Sequence, residues 1–442
     1  MSVGVLRGKR NIAAQLLLVI SLLGLTAGCS SSNQDHAAKG SAASTSARSG
    51  MPEAKADSAA PAAKESASSA DRSIGKPAPG TSEKTSPPSE GIRRGQQQDV
   101  RPGQLTAGEW SDLKNWDWWQ NLMNKKEWAK YQTDWGMRTY QRFTVEVRSG
   151  GRQVADAEVA LIGGNGQHVW KTRTNQRGEA VVFAGVTDGP QEGPFKIQIT
   201  SGQQTKTVDP VNPGGKLPLV VNLETPGVQA ASRQVDIMFV VDTTGSMADE
   251  LNFLSAELKD VIERVRSDNG NQLGIRLSSN FYRDHGDEYV VRSYPFTTDV
   301  DDVVKKISQQ RAYGGGDYEE AVEEALQDAI HNHNWSGEAR ARLLFLVLDA
   351  PPHLTPSVVK KMQALTAAAA EKGIRIIPIA SSGVDKNTEM LLRIIDILTG
   401  GTYIFLTDHS GIGDSHIEPT IGDYQVELLN KLLVKTINSY IQ

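Results

Sequence analysis

Three uninterrupted apolar runs most restrict the fold of this chain: Val235 to Val241, Leu343 to Leu348 and Ile374 to Ala380. Each is long enough for one strand and has no polar alternation, so each reads as a strand covered on both faces, as in the parallel sheets of α/β proteins. Helical patterns fall between and around them, at Ala248 to Val265, Tyr318 to His331, Pro356 to Lys372, Thr388 to Leu398 and Val426 to Ile441. The predicted fold over residues 233–442 is therefore α/β, a doubly wound and mostly parallel sheet. In such a sheet ligands bind beyond the carboxyl ends of the strands.

Upstream the periodicity is different. From Tyr140 to Glu224 apolar residues alternate, as in Phe143-Thr144-Val145-Glu146-Val147 and Glu158-Val159-Ala160-Leu161-Ile162. Gly, Asn and Asp turns separate the runs, and residues 139–226 are predicted to form an antiparallel β-sandwich. Further strands are expected at His168 to Arg173, Glu179 to Phe183, Phe195 to Thr200 and Leu217 to Asn222. The stretch from Gly151 to Val159, with Thr174 to Ala180 after it, resembles the carboxypeptidase-regulatory or immunoglobulin-like repeats of surface proteins. A spacer role is the resulting expectation.

Residues 104–138 hold six of the eight tryptophans: Trp110, Trp116, Trp118, Trp119, Trp128 and Trp135. Spacings of three and seven suit one helix face. Such rings either pack a helical segment onto a neighbouring domain or offer a stacking surface to a sugar or peptide.

The N-terminus carries Arg7, Lys9 and Arg10, an apolar run from Leu16 to Leu25, and then Thr26-Ala27-Gly28-Cys29. The run is short for a membrane span and fits an export signal over residues 1–28. Leu25 to Cys29 resembles the lipobox of bacterial lipoproteins, which implies cleavage before Cys29 and lipidation of that residue. Several acyl chains, palmitate among them, hold a protein on a membrane stably. Cys29 is the single cysteine of the chain, so an intrachain disulfide framework is excluded. Residues 29–103 are rich in Ser, Ala, Pro, Lys and Glu and nearly devoid of large apolar side chains; they read as a disordered, lipid-anchored tether. The expected location is extracytoplasmic, at the cell membrane or outer membrane of a bacterial envelope.

The run Val235 to Val241 leads directly into Asp242-Thr243-Thr244-Gly245-Ser246. This pattern, Asp-x-(Ser/Thr)-x-Ser after an apolar strand, resembles the metal-ion-dependent adhesion site of von Willebrand factor A domains. Two further loops extend the resemblance: Gly314-Gly315-Gly316-Asp317, and Asp349-Ala350-Pro351-Pro352-His353 at the end of a core strand. The resemblance implies a site built from Asp242, Thr244, Ser246, Asp317 and Asp349. Oxygen donors of this kind suit Mg2+, with Mn2+ or Ca2+ as alternatives. Hydroxyl ligands add no charge, so the cation can still recruit an acidic group from a protein partner. The commonest adhesive version supplies Thr from the second loop, whereas Asp317 stands here. The opposing reading is that Ser246 and Asp317 only cap helices. Two other polar loops, Tyr282 to Asp287 and the set Asp408, His409, Asp414, His416 and Glu418, have the His and carboxylate content of a second ion site, but read first as solvated loop polarity.

The net charge of -5 gives no broad basic surface, so nucleic acid is not an expected partner. Phosphate-loop, His-Glu-x-x-His and Gly-x-Ser-x-Gly patterns are absent. Ser73-Ile74-Gly75-Lys76 and Ser267-Asp268-Asn269 mimic penicillin-binding motifs without the Lys-Thr-Gly that should follow. The expectation is a non-enzymatic, envelope-anchored, metal-dependent protein-binding module for adhesion or scaffolding. The alternatives are a metal-assisted hydrolase of envelope material, with His353 or His285 as base, and a secretion or assembly accessory lipoprotein.

Overall fold

The computed structural model describes residues 100–224 and 232–442. The signal segment, Cys29 and nearly all of the expected tether lie outside the described residues. Among the described residues no helix is long and apolar enough to cross a membrane.

Strand β1 (Thr106–Trp110) is followed by helices α1 (Trp116–Met123) and α2 (Lys126–Trp135). The β-sandwich comprises β2 (Gln141–Ser149), β3 (Arg152–Gln153), β4 (Glu158–Ile162), β5 (His168–Arg173), β6 (Glu179–Ala184), β7 (Phe195–Ser201), β8 (Gln204–Val211) and β9 (Leu219–Leu223). The α/β part then runs β10 (Gln234–Asp242), α3 (Ala248–Asp268), β11 (Gly274–Tyr282), β12 (Val291–Thr297), α4 (Val300–Ser308), α5 (Val322–Gln327), β13 (Ala341–Leu348), α6 (Pro356–Lys372), β14 (Ile374–Ala380), α7 (Lys386–Thr399), β15 (Tyr403–Leu406), β16 (Glu427–Leu428) and α8 (Leu429–Ile441).

The α/β sheet has the order β12-β11-β10-β13-β14-β15-β1-β16. Its five central strands, β11 to β15 in that order, are parallel. β12 is antiparallel at one edge, and β1 and β16 are antiparallel at the other. The strand period explains why β10 is apolar throughout. Val235, Ile237, Phe239 and Val241 enter a core with α3, α4 and α8, whereas Met238 and Val240 enter the opposite core with α5, α6 and α7.

Two expectations are revised. Residues 104–138 are not helical throughout, because 106–110 form β1, which pairs with β15 about 300 residues away. The α/β domain therefore begins before the sandwich, and the sandwich is an insertion between β1 and β10. The sandwich is also not wholly antiparallel. Its sheets are β3-β2-β6, with β9 added in parallel to β2, and β5-β4-β7-β8.

Nor is the sandwich a free spacer. Its core is continuous with the α6 and α7 layer, and Trp119, Trp128 and Trp135 are buried in that shared core. Across the junction Arg342 forks onto Asp156 at 2.9 and 3.2 Å, and Gln176 Nε2 donates to the Arg340 carbonyl at 2.7 Å. Aromatic packing decides the fate of most of the Trp-rich segment: Trp118 alone of its six indoles is substantially exposed, at 39%.

Candidate metal centre

β10 ends on Asp242, whose side chain is fully buried at the carboxyl end of the sheet. Thr244 closes a tight turn on it: its backbone N–H donates to Asp242 Oδ1 at 2.8 Å and its hydroxyl to the same oxygen at 2.7 Å. Ser246 Oγ lies 3.4 Å from Thr244 Oγ1. One strand end and one turn thus gather Asp242, Thr244 and Ser246. Capping does not account for them. The turn from Gly245 to Met247, α3 and α5 all begin without a side-chain cap.

The glycine loop lies against this turn. Gly245 N–H donates to the Gly314 carbonyl at 3.2 Å. Gly315 has φ +72°, and a Cβ there would fall 2.7 Å from Glu320 Oε1 and 3.4 Å from the Thr244 side chain. Its lack of a side chain is what lets the loop approach the strand end.

Asp349 follows β13, the neighbour of β10, and is buried beside Asp242. Asp349, Ser246 and Asp317 line one cleft of about 190 Å³ together with Tyr318, Glu320, Ser382 and Asp414. Of the expected carboxylates, Asp317 differs from Asp242 and Asp349. It is exposed at the cleft rim and groups with Asp284 and His353. Glu320, three residues on, is the carboxylate that turns inward. Its backbone N–H donates to the Pro351 carbonyl, it bridges to Pro352, and its side chain is buried. Sequence reading missed Glu320 because two acidic residues share the loop and only the pairing with the Asp349 loop selects between them.

The electrostatics are those of negative charges withdrawn from water. Burial, and then Asp349, raise the pKa of Asp242. Burial also raises Asp349, with the Ser246 hydroxyl opposing and Glu250 adding to the rise. Burial, followed by Asp242, Asp284 and Asp349, pushes Glu320 up to about 9. Asp242 Oδ2, Asp349 Oδ1 and Glu320 Oε2 are buried without a partner of good hydrogen-bond geometry, and the Tyr282 hydroxyl stands close enough to Asp242 to oppose the rise in its pKa. Leaving one such atom unsatisfied is costly, and three around one cleft fit a cation.

The linkage gives a test. All three carboxyls have folded-state pKa values above their ordinary range, so the folded chain holds protons that the unfolded chain releases. Their contribution is complete below about pH 4 and lost as pH rises toward 9. Chelator-treated protein is expected to melt at falling temperature across this interval, and Glu320→Gln should flatten the slope between pH 7 and 9. An unchanged slope in that variant would mean that Glu320 does not titrate there.

The chain is similar to known proteins over parts of its length. Over 122 residues, 27% of this chain, it is 33% identical to an ariadne-like RING finger protein of Acanthamoeba polyphaga mimivirus, and the match spans only 11% of that protein. The crystal structure of the conserved hypothetical protein BatB from Bacteroides thetaiotaomicron aligns with 47% of this chain and 98% of its own, at 14% identity and a TM-score of 0.30. Residues 236–406, from β10 to the end of β15, match the family model of the von Willebrand factor A domain.

Proposed function

We propose that the α/β domain is a divalent-cation-dependent protein-interaction module of adhesion or scaffolding type, carried on a bacterial envelope membrane by a lipid on Cys29. The observation that carries this reading is the convergence of three buried, unpartnered carboxylate oxygens, from Asp242, Glu320 and Asp349, with the Thr244 and Ser246 hydroxyls. An all-oxygen set of this composition suits Mg2+, with Mn2+ or Ca2+ as alternatives. Asp242, Glu320 and Asp349 would supply the charge, Thr244 and Ser246 neutral donors, and Asp317 stands at the rim. When bound, a cation would supply Lewis acidity toward an acidic side chain of a partner, and Tyr318 and Ser382 line the cleft such a side chain would enter. The family match over residues 236–406 supports an interaction module. The experiment is thermal melting with each cation against chelator, in wild type and Asp242→Ala.

The sandwich serves this reading as a platform. Because its core is shared with α6 and α7, it braces that layer of the α/β domain. Cys29→Ser is expected to move the protein from the membrane fraction to the soluble fraction, as followed by fractionation and blotting. Retention of the variant in the membrane fraction would remove the lipid anchor from this proposal.

A hydrolase is the second reading, and one contact favours it: His353 Nε2 lies 2.7 Å from Asp284 Oδ1, at the side of the cleft where Asp317 stands. Asp284, Asp317 and Glu323 favour the protonated imidazole and outweigh its burial. The ring is therefore better disposed to donate a proton than to accept one. Turnover on wall fragments that is lost in His353→Ala would select this reading over binding alone.

A further inference from the structure

Two groups of metal-ligating side chains adjoin the cleft without belonging to the set above. In the first, ligand atoms of Asp284, Asp317 and His353 all lie within 4.8 Å of one another. In the second the same holds for His285, Glu323 and Glu324, with His285 Nε2 at 3.6 Å from Glu323 Oε1. The rings of His285 and His353 face each other with centroids 6.1 Å apart, so the two groups abut.

Glu323 sets this arrangement apart from ordinary surface polarity. Its side chain is only 2% exposed, yet Oε2 makes no hydrogen bond. A solvated loop does not bury a carboxylate with an idle oxygen. The donors also differ in kind from those of the neighbouring cleft. Two imidazoles are present here and none there, and imidazole nitrogen favours Zn2+ and its neighbours over Mg2+ or Ca2+.

We propose that these two abutting groups, Asp284, Asp317 and His353 on one side and His285 and Glu323 on the other, form a second cation-binding region selective for a borderline transition metal of the Zn2+ class. Its ligands come from the loop after β11, the glycine loop, the loop after β13 and helix α5. An ion there ties together the segments that form the rim of the first cleft. Asp317 belongs to both borders, so loading of the second site fixes the side chain beside which a partner would enter.

The test uses the full chain, with Zn2+ and Co2+ as probes. Equilibrium dialysis should show one tightly held Zn2+ per chain, and Co2+ should give visible d–d absorption of the intensity expected for a low-coordinate site with nitrogen ligands. The His285→Ala, His353→Ala double variant should lose the absorption and at least tenfold in Zn2+ affinity while keeping the wild-type melting response to Mg2+. Asp242→Ala should show the reverse pattern, so failure of the first site and failure of the second are distinguishable. If the double variant fails to fold, judged by circular dichroism, His353→Gln replaces it with the same expected losses. Zn2+ affinity unchanged in the folded histidine variants, or lost instead in His409→Ala, His416→Ala, would overturn the proposal.

Discussion

Asp242→Ala is expected to abolish the stabilisation of the protein by divalent cations while leaving the fold in place. In wild type, a cation at one hundred times its dissociation constant raises stability by about 2.7 kcal/mol, because it binds the folded chain alone. The variant should show none of this. Without cation, its melting temperature should equal or exceed that of the wild type at pH 8, since the substitution removes one of the two ionised carboxylates, Asp242 and Asp349, that repel each other in a buried cleft. Loss of the Thr244 turn contacts opposes that gain at about 1 kcal/mol each. Asp317→Ala separates the rim from the centre: it should retain most of the Mg2+ response, whereas Glu320→Ala should lose it. Equal losses in both variants would return Asp317 to the ligand set and remove the distinction drawn from burial.

That distinction shows what was legible in the chain. Asp242, Thr244, Ser246 and Asp349 sit at or just after strand ends whose apolar runs are unmistakable, so their convergence follows from the parallel sheet itself. Glu320 and Asp317 are both acidic, three apart, in one glycine-rich loop, and nothing local ranks them. Burial does so, through the pairing of Glu320 with the Pro351 and Pro352 backbone. Long-range pairing also hid several strands, β11, β12 and β1 among them. β11 carries Ser278, Ser279 and Asn280 at its centre, which breaks the apolar pattern; Ser278 Oγ and Asn280 Nδ2 are satisfied by Tyr294 O and Asp328 Oδ2 across the fold. β12 is a half-exposed edge strand, and β1 finds its partner only after the sandwich has been completed. Most helices with continuous amphipathic patterns were legible to within a few residues, α6 over its full length, whereas the short amphipathic α4 was not expected. The expected helix from Tyr318 to His331 shrank to α5 and a following π turn, because the chain is first held against Pro352.

The Trp-rich segment has its physical explanation in Arg393, and Arg393→Ala is the substitution expected to cost most stability. This arginine of α7 is fully buried, and its guanidinium forks onto Asp112 at 2.8 and 2.7 Å. It also donates to Glu389 at 3.0 Å and to the Thr420 carbonyl at 2.8 Å. Trp119 and Trp128 place their rings 5.3 and 5.4 Å from the guanidinium carbon, and Trp110 Nε1 donates to Asp112. The tryptophans of three successive elements therefore enclose one charge network that joins the segment after β1 to α7. Removing the arginine leaves Asp112 buried without its cation and Glu389 with Lys386 alone at 3.0 Å, beside Asp396, whose carboxyl burial and Asp112 already hold well above the usual range. Breaking a buried pair in this way costs about 3–5 kcal/mol, a large part of a typical folding stability of roughly 5–15 kcal/mol. Arg393→Lys should rescue little, because an ammonium cannot reproduce the planar fork. Asp112→Asn combined with Arg393→Met should cost less than Arg393→Ala, since it removes the cation together with one of its two carboxylate partners. Denaturant unfolding followed by tryptophan fluorescence measures all three directly. A loss below about 1 kcal/mol for Arg393→Ala would mean that the enclosed charge contributes specificity of packing and almost nothing to stability.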